Sequence, residues 1–384
     1  MLRITDKALC CGCGACANAC PHHAITLRPD NEGFVYPAVD AENCTECGLC
    51  LRICPVVSGG FVRCNQTPEA YAAKNKNDAV RQSSSSGGIF TLLAERVLEK
   101  QGVVFGAALT ADMEVSHRHT EDPDGLEQFR GSKYVQSAVE KSYPKVREFL
   151  EKGRTVLFSG TPCQIAGLKQ YLGKAYLQLI CVDIACHGVP SPLVWKAYLE
   201  EMEKQGGNQV CAAHFRDKTN GWNKFSMKLL FENGTHIISG KDQDPYLKAF
   251  LANYDLRPSC YNCAFKQHNS GADITLADFW GIEHILPEMD DDKGVSLILV
   301  NSEKGRVILE DIRDNLTVVA VDYQSAVRYN SAIIRSVYRP EERDRYICDV
   351  RKRNFFTLTN QYFSLKFHWR AFRKIRKKLR KYIK

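Results

Sequence analysis

A chain of 384 residues that is 44% hydrophobic and 25% charged, with only 14 prolines, is neither disordered nor fibrous; it has room for a small unit plus one large α/β domain with its own core. The formal charge of +8 is uneven, because residues 351–384 hold thirteen Lys and Arg and no Asp or Glu; the remainder carries about −5, unlike a uniformly basic nucleic-acid binder. The first ten residues include Arg3, Asp6 and Lys7 and lack the apolar segment of a secretory signal, and no long apolar run occurs, so a cytoplasmic chain is expected in which the 17 cysteines mean metal rather than disulfides.

Residues 1–60 read as one small unit. Cys10, Cys13, Cys16 and Cys20, followed by Pro21, form C-x2-C-x2-C-x3-C-P, and Cys44, Cys47, Cys50 and Cys54, followed by Pro55, repeat it. In such a repeat three thiolates of one tight loop reach one 4Fe-4S cubane while the fourth, turned away, ligates the other. The expected sets are Cys10, Cys13, Cys16 and Cys54 for one cluster, and Cys44, Cys47, Cys50 and Cys20 for the other. Gly12, Gly14 and Gly48 let the backbone curl closely around inorganic sulfur. Zinc fits less well, since it wants paired C-x2-C knuckles and not triplets with a trailing Cys-Pro. Cys11 and Cys64 fall outside the pattern and are read as free thiols. Between the motifs, 24–27 and 34–39 alternate like a small strand pair around a turn at 29–33, which agrees with a dicluster 4Fe-4S ferredoxin-like domain over 1–60.

Ser58-Gly59-Gly60 reads as a linker, and the second domain, 68–340, begins near Pro68. A helix is expected around Ile89, Leu92, Leu93 and Val97, then a strand at 103–108, a helix at 146–150, a strand at 155–158, a helix at 165–172 and a strand at 177–185. That alternation predicts an α/β domain with part of its sheet parallel. Segments 225–231 and 235–238 around Asn233-Gly234 predict a two-residue hairpin, making the sheet mixed.

The Ser83–Gly88 run opens the first helix of this domain. It reads either as an anion site for a flavin pyrophosphate or as a serine N-cap with a tight glycine turn. At the second strand-to-helix junction, Thr161 is the expected N-cap, Pro162 the first helical residue and Cys163 a thiol of lowered pKa in the first turn. With Cys186, Cys260 and Cys263, Cys163 offers four thiols at the ends of successive elements. They suit a third 4Fe-4S cluster, with zinc or unpaired thiols as alternatives.

Ser85-Ser86-Gly87-Gly88, Gly131-Ser132-Lys133-Tyr134, Gly160-Thr161-Pro162-Cys163-Gln164, Ala185-Cys186-His187-Gly188, Cys260-x2-Cys263 and Ala277-Asp278-Phe279-Trp280-Gly281 occur in that order. Over about residues 1–340 the chain therefore resembles the family of the coenzyme F-420 hydrogenase/dehydrogenase beta subunit, which includes the ferredoxin-dependent 7-hydroxymethyl chlorophyll a reductases. The resemblance implies FAD beside the iron–sulfur clusters, lined by Ser85, Ser86, Gly87, Gly88, Lys133, Tyr134, Thr161 and Gln164, with Lys133 near its negative charge. It leaves the substrate open, and His187 and Asp278 are candidate proton donors by position only.

The expected function is that of an iron–sulfur flavoprotein oxidoreductase passing single electrons from a ferredoxin or other redox partner to an organic substrate, or the reverse. The alternative is a non-catalytic electron-transfer subunit that feeds a partner enzyme, in a family with members linked to surface-polysaccharide synthesis. Residues 351–384 read as a basic amphipathic tail: Leu365, Trp369, Phe372, Ile375, Leu379 and Tyr382 recur at helical spacing among Arg and Lys. Peripheral attachment to anionic lipid at the inner face of the membrane is one reading of this tail, and a helix docked on the protein body is the other.

Overall fold

A computed structural model of the chain describes residue 2, residues 6–60 and residues 67–363. The N-terminal unit consists of helix α1 (Ala15–Ala19), the antiparallel strands β1 (Ile25–Pro29) and β2 (Val35–Val39), and helix α2 (Leu49–Arg52). The Asp30 carboxylate builds the intervening turn by accepting from the N–H groups of Glu32 and Phe34.

The larger domain alternates strand and helix. Strand β3 (Glu69–Asn75) leads to α3 (Asp78–Ser83) and α4 (Ile89–Glu99), then to β4 (Val103–Leu109) and β5 (Val115–Thr120). Next come α5 (Ser142–Glu151), β6 (Val156–Gly160), α6 (Pro162–Leu172), β7 (Leu179–Ile184) and α7 (Pro192–Gly206). Strands β8 (Val210–Asp217), β9 (Ser226–Phe231) and β10 (His236–Gly240) precede α8 (Pro245–Leu251). Then come β11 (Ile274–Asp278), α9 (Ile282–Ile285), β12 (Ser296–Val300), α10 (Glu303–Asp311) and β13 (Leu316–Val321), followed by helices α11 (Tyr323–Val327), α12 (Ser331–Ile334) and α13 (Arg343–Val350).

Eight strands form one mixed sheet in the order β13-β3-β12-β11-β7-β6-β4-β5. The pairs β4/β6, β6/β7 and β7/β11 are parallel and the others antiparallel. Val156, Leu157 and Phe158 are all buried, because helices cover both faces of the parallel centre. On one face α4 and α10 bring Leu93, Val97 and Ile308 onto Val104, Leu157 and Ile298. On the other, α5 and α6 bring Val146, Ile165 and Leu168 onto Phe105 and Phe158 in a cluster that also takes in Cys13 and Ala15 of the N-terminal unit.

The expected hairpin forms, but in a separate three-stranded sheet, β10-β9-β8, that packs with α7 and α8. Its loop is three residues rather than two. Leu230 pairs with His236 and the Phe231 N–H donates to the Thr235 carbonyl, so 232–234 form the turn, and only Gly234, at φ +80°, takes the left-handed conformation. The serine run also departs from expectation: Ser83 ends α3, and α4 is capped by Gly88 at φ +81°, not by a serine.

Residues 355–363 are helical, with Phe355 and Leu358 buried against the α7 and α8 cluster. The start of the tail is therefore docked on the body. Leu365, Trp369, Phe372, Ile375, Leu379 and Tyr382 lie outside the described residues, as does Cys64. Among the described residues no helix is long and apolar enough to cross a membrane.

Candidate metal centre

The two cysteine motifs fold alike. Gly14 at φ +74° and Gly48 at φ +72° stand immediately before α1 and α2, so each motif turns through a left-handed glycine into a short helix that carries its third cysteine. Burial pushes the Cys16 thiol up to about 12, and the neighbouring Cys10, Cys54 and Cys50 add to the rise, so these thiols share one environment. Cys20, by contrast, joins Cys44, Cys47 and Cys50 around a small cavity of about 20 Å³. Cys54 of the second motif thus lies near Cys10 and Cys16 of the first, and Cys20 of the first lies with the second triplet, whose Cys50 also neighbours Cys16.

A second cavity, of about 250 Å³, opens at the carboxyl edge of the large sheet. Cys163 enters it from the first turn of α6, Cys186 from the loop after β7, and Cys260 and Cys263 from a turn at 258–262 and its end. Burial raises the Cys186 thiol well above its ordinary range, reinforced by Cys260, Cys163 and Cys263, so the four thiols share one low-dielectric space. Donors surround them: the Val189 N–H points at Cys260 Sγ at 3.3 Å, Thr161 Oγ1 lies 3.2 Å from Cys163 Sγ, and Lys266 Nζ donates to the Cys186 carbonyl at 2.6 Å. Among the described residues no three His, Cys, Asp or Glu side chains close around a point as a single metal ion requires. A cubane is held at its corners, with its thiolates farther apart than the four ligands of a zinc ion.

Two expectations change here. The Cys163 thiol is raised rather than lowered, through its hydrogen bond with Cys11 and through burial, which outweigh the helix N-terminus. Cys11, read as a free thiol without a role, lines the same cavity as Cys163, and the neighbouring Cys13 together with burial raises its thiol well above the ordinary range. Its contact lies across the interface between the two units, which sequence spacing cannot show.

The residues expected around a flavin fall into two groups. Ser85 Oγ accepts from the Ser132 N–H, which seats the Ser85–Gly88 loop against 131–134, and Ser86 Oγ donates to the Val295 carbonyl at 2.9 Å. Gly87 is required by packing, since a methyl group there would lie 2.5 Å from the Ala73 carbonyl oxygen. Lys133 Nζ donates to the carbonyls of Gln128 and Arg130, and burial lowers it to about 7. Tyr134 stacks on Phe250 with ring centroids 4.4 Å apart. Thr161 and Gln164 form the second group. They make the capping box of α6, with Gln164 Oε1 accepting from the Thr161 N–H at 2.9 Å beside Cys163. Thr161 and Gln164 follow the carboxyl end of β6, and the Ser85–Gly88 loop packs at that of β3, where the Asn75 N–H donates to the Gly87 carbonyl at 2.8 Å; this is the edge at which open α/β sheets bind ligands.

His187 and Asp278 do not meet in one site. His187 lines the thiol cavity, with Nε2 2.6 Å from Asn253 Oδ1, and burial lowers its pKa. The Asp278 carboxylate is held by Arg216 at 2.7 Å and by the Trp222 indole N–H at 3.0 Å. Arg216 and Lys218, both buried, place basic groups beside the serine loop: Lys218 Nζ donates to the Ser86 carbonyl at 2.8 Å, and burial lowers it to about 7. Neither had a sequence signal, because a lone Arg or Lys in a strand carries no motif.

The two units are locked together by buried groups. Arg343 forms an ion pair with Glu32 at 2.6 Å and donates to the Leu256 carbonyl. Arg257, fully buried, donates to the carbonyls of Cys10 at 2.8 Å and Val35 at 3.1 Å.

Comparison with known proteins agrees with this architecture. Residues 9–57 match a family described as 4Fe-4S dicluster domain, 70–142 the N-terminal part of the coenzyme F420 hydrogenase/dehydrogenase beta subunit, and 153–325 its C terminus. One component of the F(420)H(2) dehydrogenase of Methanosarcina mazei is 29% identical over 172 residues, covering 42% of this chain and 48% of that protein. The coenzyme F420-dependent sulfite reductase of Methanocaldococcus jannaschii is 27% identical over 327 residues, covering 79% of this chain and 46% of that protein. The chain thus spans about half the length of these curated relatives. A solved structure, the F420-reducing [NiFe] hydrogenase complex from Methanosarcina barkeri, aligns at 16% identity with a TM-score of 0.45 over 71% of this chain and 90% of its own. With both parts of one family model matched in order behind a 4Fe-4S dicluster domain, the chain belongs to the family of the coenzyme F420 hydrogenase/dehydrogenase beta subunit.

Proposed function

We infer that the protein is an iron–sulfur flavoprotein oxidoreductase that passes single electrons between a redox partner and an organic substrate through three 4Fe-4S clusters and FAD. The observation that carries this reading is the continuity of thiol sites. Cys11, which lies between the ligand candidates Cys10 and Cys13 of the N-terminal unit, lines the large-domain cavity together with Cys163, so the two candidate metal-binding regions share a wall. In this reading Cys10, Cys13, Cys16 and Cys54 hold one cluster, Cys20, Cys44, Cys47 and Cys50 the second, and Cys163, Cys186, Cys260 and Cys263 the third.

When bound, clusters supply one-electron carriers and a flavin supplies the exchange between one- and two-electron chemistry. The chain's own contributions are structural and electrostatic. Gly12, Gly14 and Gly48 admit close backbone approach, and the Val189 N–H donates toward Cys260 Sγ, favouring its thiolate. Arg216, already paired with Asp278, and Lys218, which burial lowers to about 7, bring N–H donors beside Ser85 and Ser86, where a pyrophosphate would be held. A reduced ferredoxin or another redox protein is the proposed electron source, and the reverse direction uses the same path.

A second reading, a non-catalytic electron-transfer subunit, draws support from the serine loop. There Ser85, Ser86 and Lys133 already spend their polar atoms on Ser132, Val295, Gln128 and Arg130. Iron, acid-labile sulfide and flavin content of anaerobically purified protein separates the two. About twelve irons with one FAD per chain supports the oxidoreductase, about twelve without flavin supports the electron-transfer role, and about eight removes the third cluster.

A further inference from the structure

Arg257 is a large-domain residue whose guanidinium ends inside the N-terminal unit. Its Nη2 lies 3.5 Å from Cys10 Sγ, its Nε donates to the Cys10 carbonyl at 2.8 Å, and its plane lies 4.1 Å from the Tyr36 ring centroid. It is fully buried, and among the described residues no carboxylate pairs with it. The nearby acids are engaged elsewhere, Asp30 with Lys7 at 2.5 Å and Glu32 with Arg343 at 2.6 Å. A desolvated cation without an anion is costly. Its backbone is tied to the large-domain thiol cavity, because the N–H of Cys260, which lines that cavity, donates to the Arg257 carbonyl at 2.9 Å.

We propose that Arg257 is a redox-tuning residue whose buried, unpaired charge raises the reduction potential of the cluster ligated by Cys10. This rests on the ligation proposed above. A 4Fe-4S core with four thiolates is a dianion when oxidised and a trianion when reduced. Adding one electron makes or breaks no bond, so a fixed positive charge beside it stabilises the reduced form more than the oxidised form. The cluster anion is in turn the counter-charge that Arg257 otherwise lacks. The electron comes from the same redox partner as in the function proposed above.

The test is an EPR-monitored redox titration of the full chain and its variants. In Arg257→Met the reduced-to-oxidised ratio of one N-terminal cluster, at a fixed potential, should fall on the order of tenfold, equal to about 59 mV for a one-electron couple. Arg257→Lys, which keeps the charge, should stay close to the wild type. Gln136→Glu supplies a version that leaves Arg257 in place. Gln136 Oε1 lies 3.5 Å from Arg257 Nη1, and a carboxylate there should neutralise the guanidinium and lower the potential of the same cluster. Wild-type potentials in both Arg257→Met and Gln136→Glu overturn the proposal. Equal shifts in Arg257→Lys and Arg257→Met also overturn it, by showing a packing contact instead of a charge. If Arg257→Met loses iron, the Gln136→Glu titration decides alone. A wild-type protein without cluster signals would instead refute the ligation itself.

Discussion

Replacing Gly167 by Ala tests how tightly the two units are docked. Gly167 is buried in the middle of α6, and a methyl carbon there would lie 2.8 Å from Cys13 Cβ, 2.9 Å from its Sγ and 3.1 Å from the Tyr143 hydroxyl. In an isolated helix the change stabilises by about 1 kcal/mol, because alanine loses less backbone entropy. Here the obstructing Cβ is attached to backbone and cannot swing aside, and overpacking of this kind costs about 1–3 kcal/mol. The net expectation is a loss of up to about 2 kcal/mol, taken from the interface that positions Cys13. Anaerobic urea denaturation with parallel measurement of retained iron reads both parts: the midpoint should fall and the N-terminal unit should release iron earlier. A variant more stable than wild type by about 1 kcal/mol, with unchanged iron retention, would refute the reasoning.

Cys186→Ser should lower the iron content from about twelve to about eight per chain while leaving the N-terminal clusters' EPR signals in place; unchanged iron would remove Cys186 as a ligand. Asp255 is fully buried, both its carboxylate oxygens lack a hydrogen-bond partner among the described residues, and burial pushes it up to about 7. Its folded pKa is thus above the unfolded value of about 4, so its contribution is fully present below about pH 4 and is lost as pH rises toward 7. Asp255→Asn should therefore flatten the fall in urea midpoint between about pH 5 and pH 8, and parallel profiles for the two proteins would contradict this. Truncation after Phe363 spares the buried Phe355 and Leu358, and should abolish binding to anionic vesicles at low salt if the tail is a membrane contact; undiminished binding would dismiss that role.

Much of the molecule was legible in the sequence because its strongest signals are local. The cysteine spacing needs only one tight loop for each triplet, and the helix–strand alternation from Ile89 to Ile184 follows hydrophobic period and capping chemistry that act within a few residues. What escaped is long-range. The hairpin was readable at Asn233-Gly234, but which sheet it joins depends on how α7 and α8 bury β8 and β9, and that is not written in the turn. Cys11 resembled a stray thiol because its partner Cys163 is 152 positions away along the chain, in a different unit. Arg257 had no motif at all, since its meaning lies in the absence of a carboxylate beside it. Cys163 shows the reverse failure, in which a sound local rule about helix N-termini lost to burial and a neighbouring sulfur.

Helix α6 presents Cys163 at its first turn and Gly167 against Cys13 one turn later, four residues or about 6 Å along a single rod. Electron tunnelling decays exponentially with distance, so any hinge between donor and acceptor would make the rate fluctuate with every excursion. A helix spans its own backbone hydrogen bonds and stretches very little. If the two thiol sites hold clusters as proposed, α6, with Cys163 at its tip and Cys13 packed on its flank, would act as a yardstick: breathing of the surrounding loops would change access to either site with little change in the gap an electron would cross.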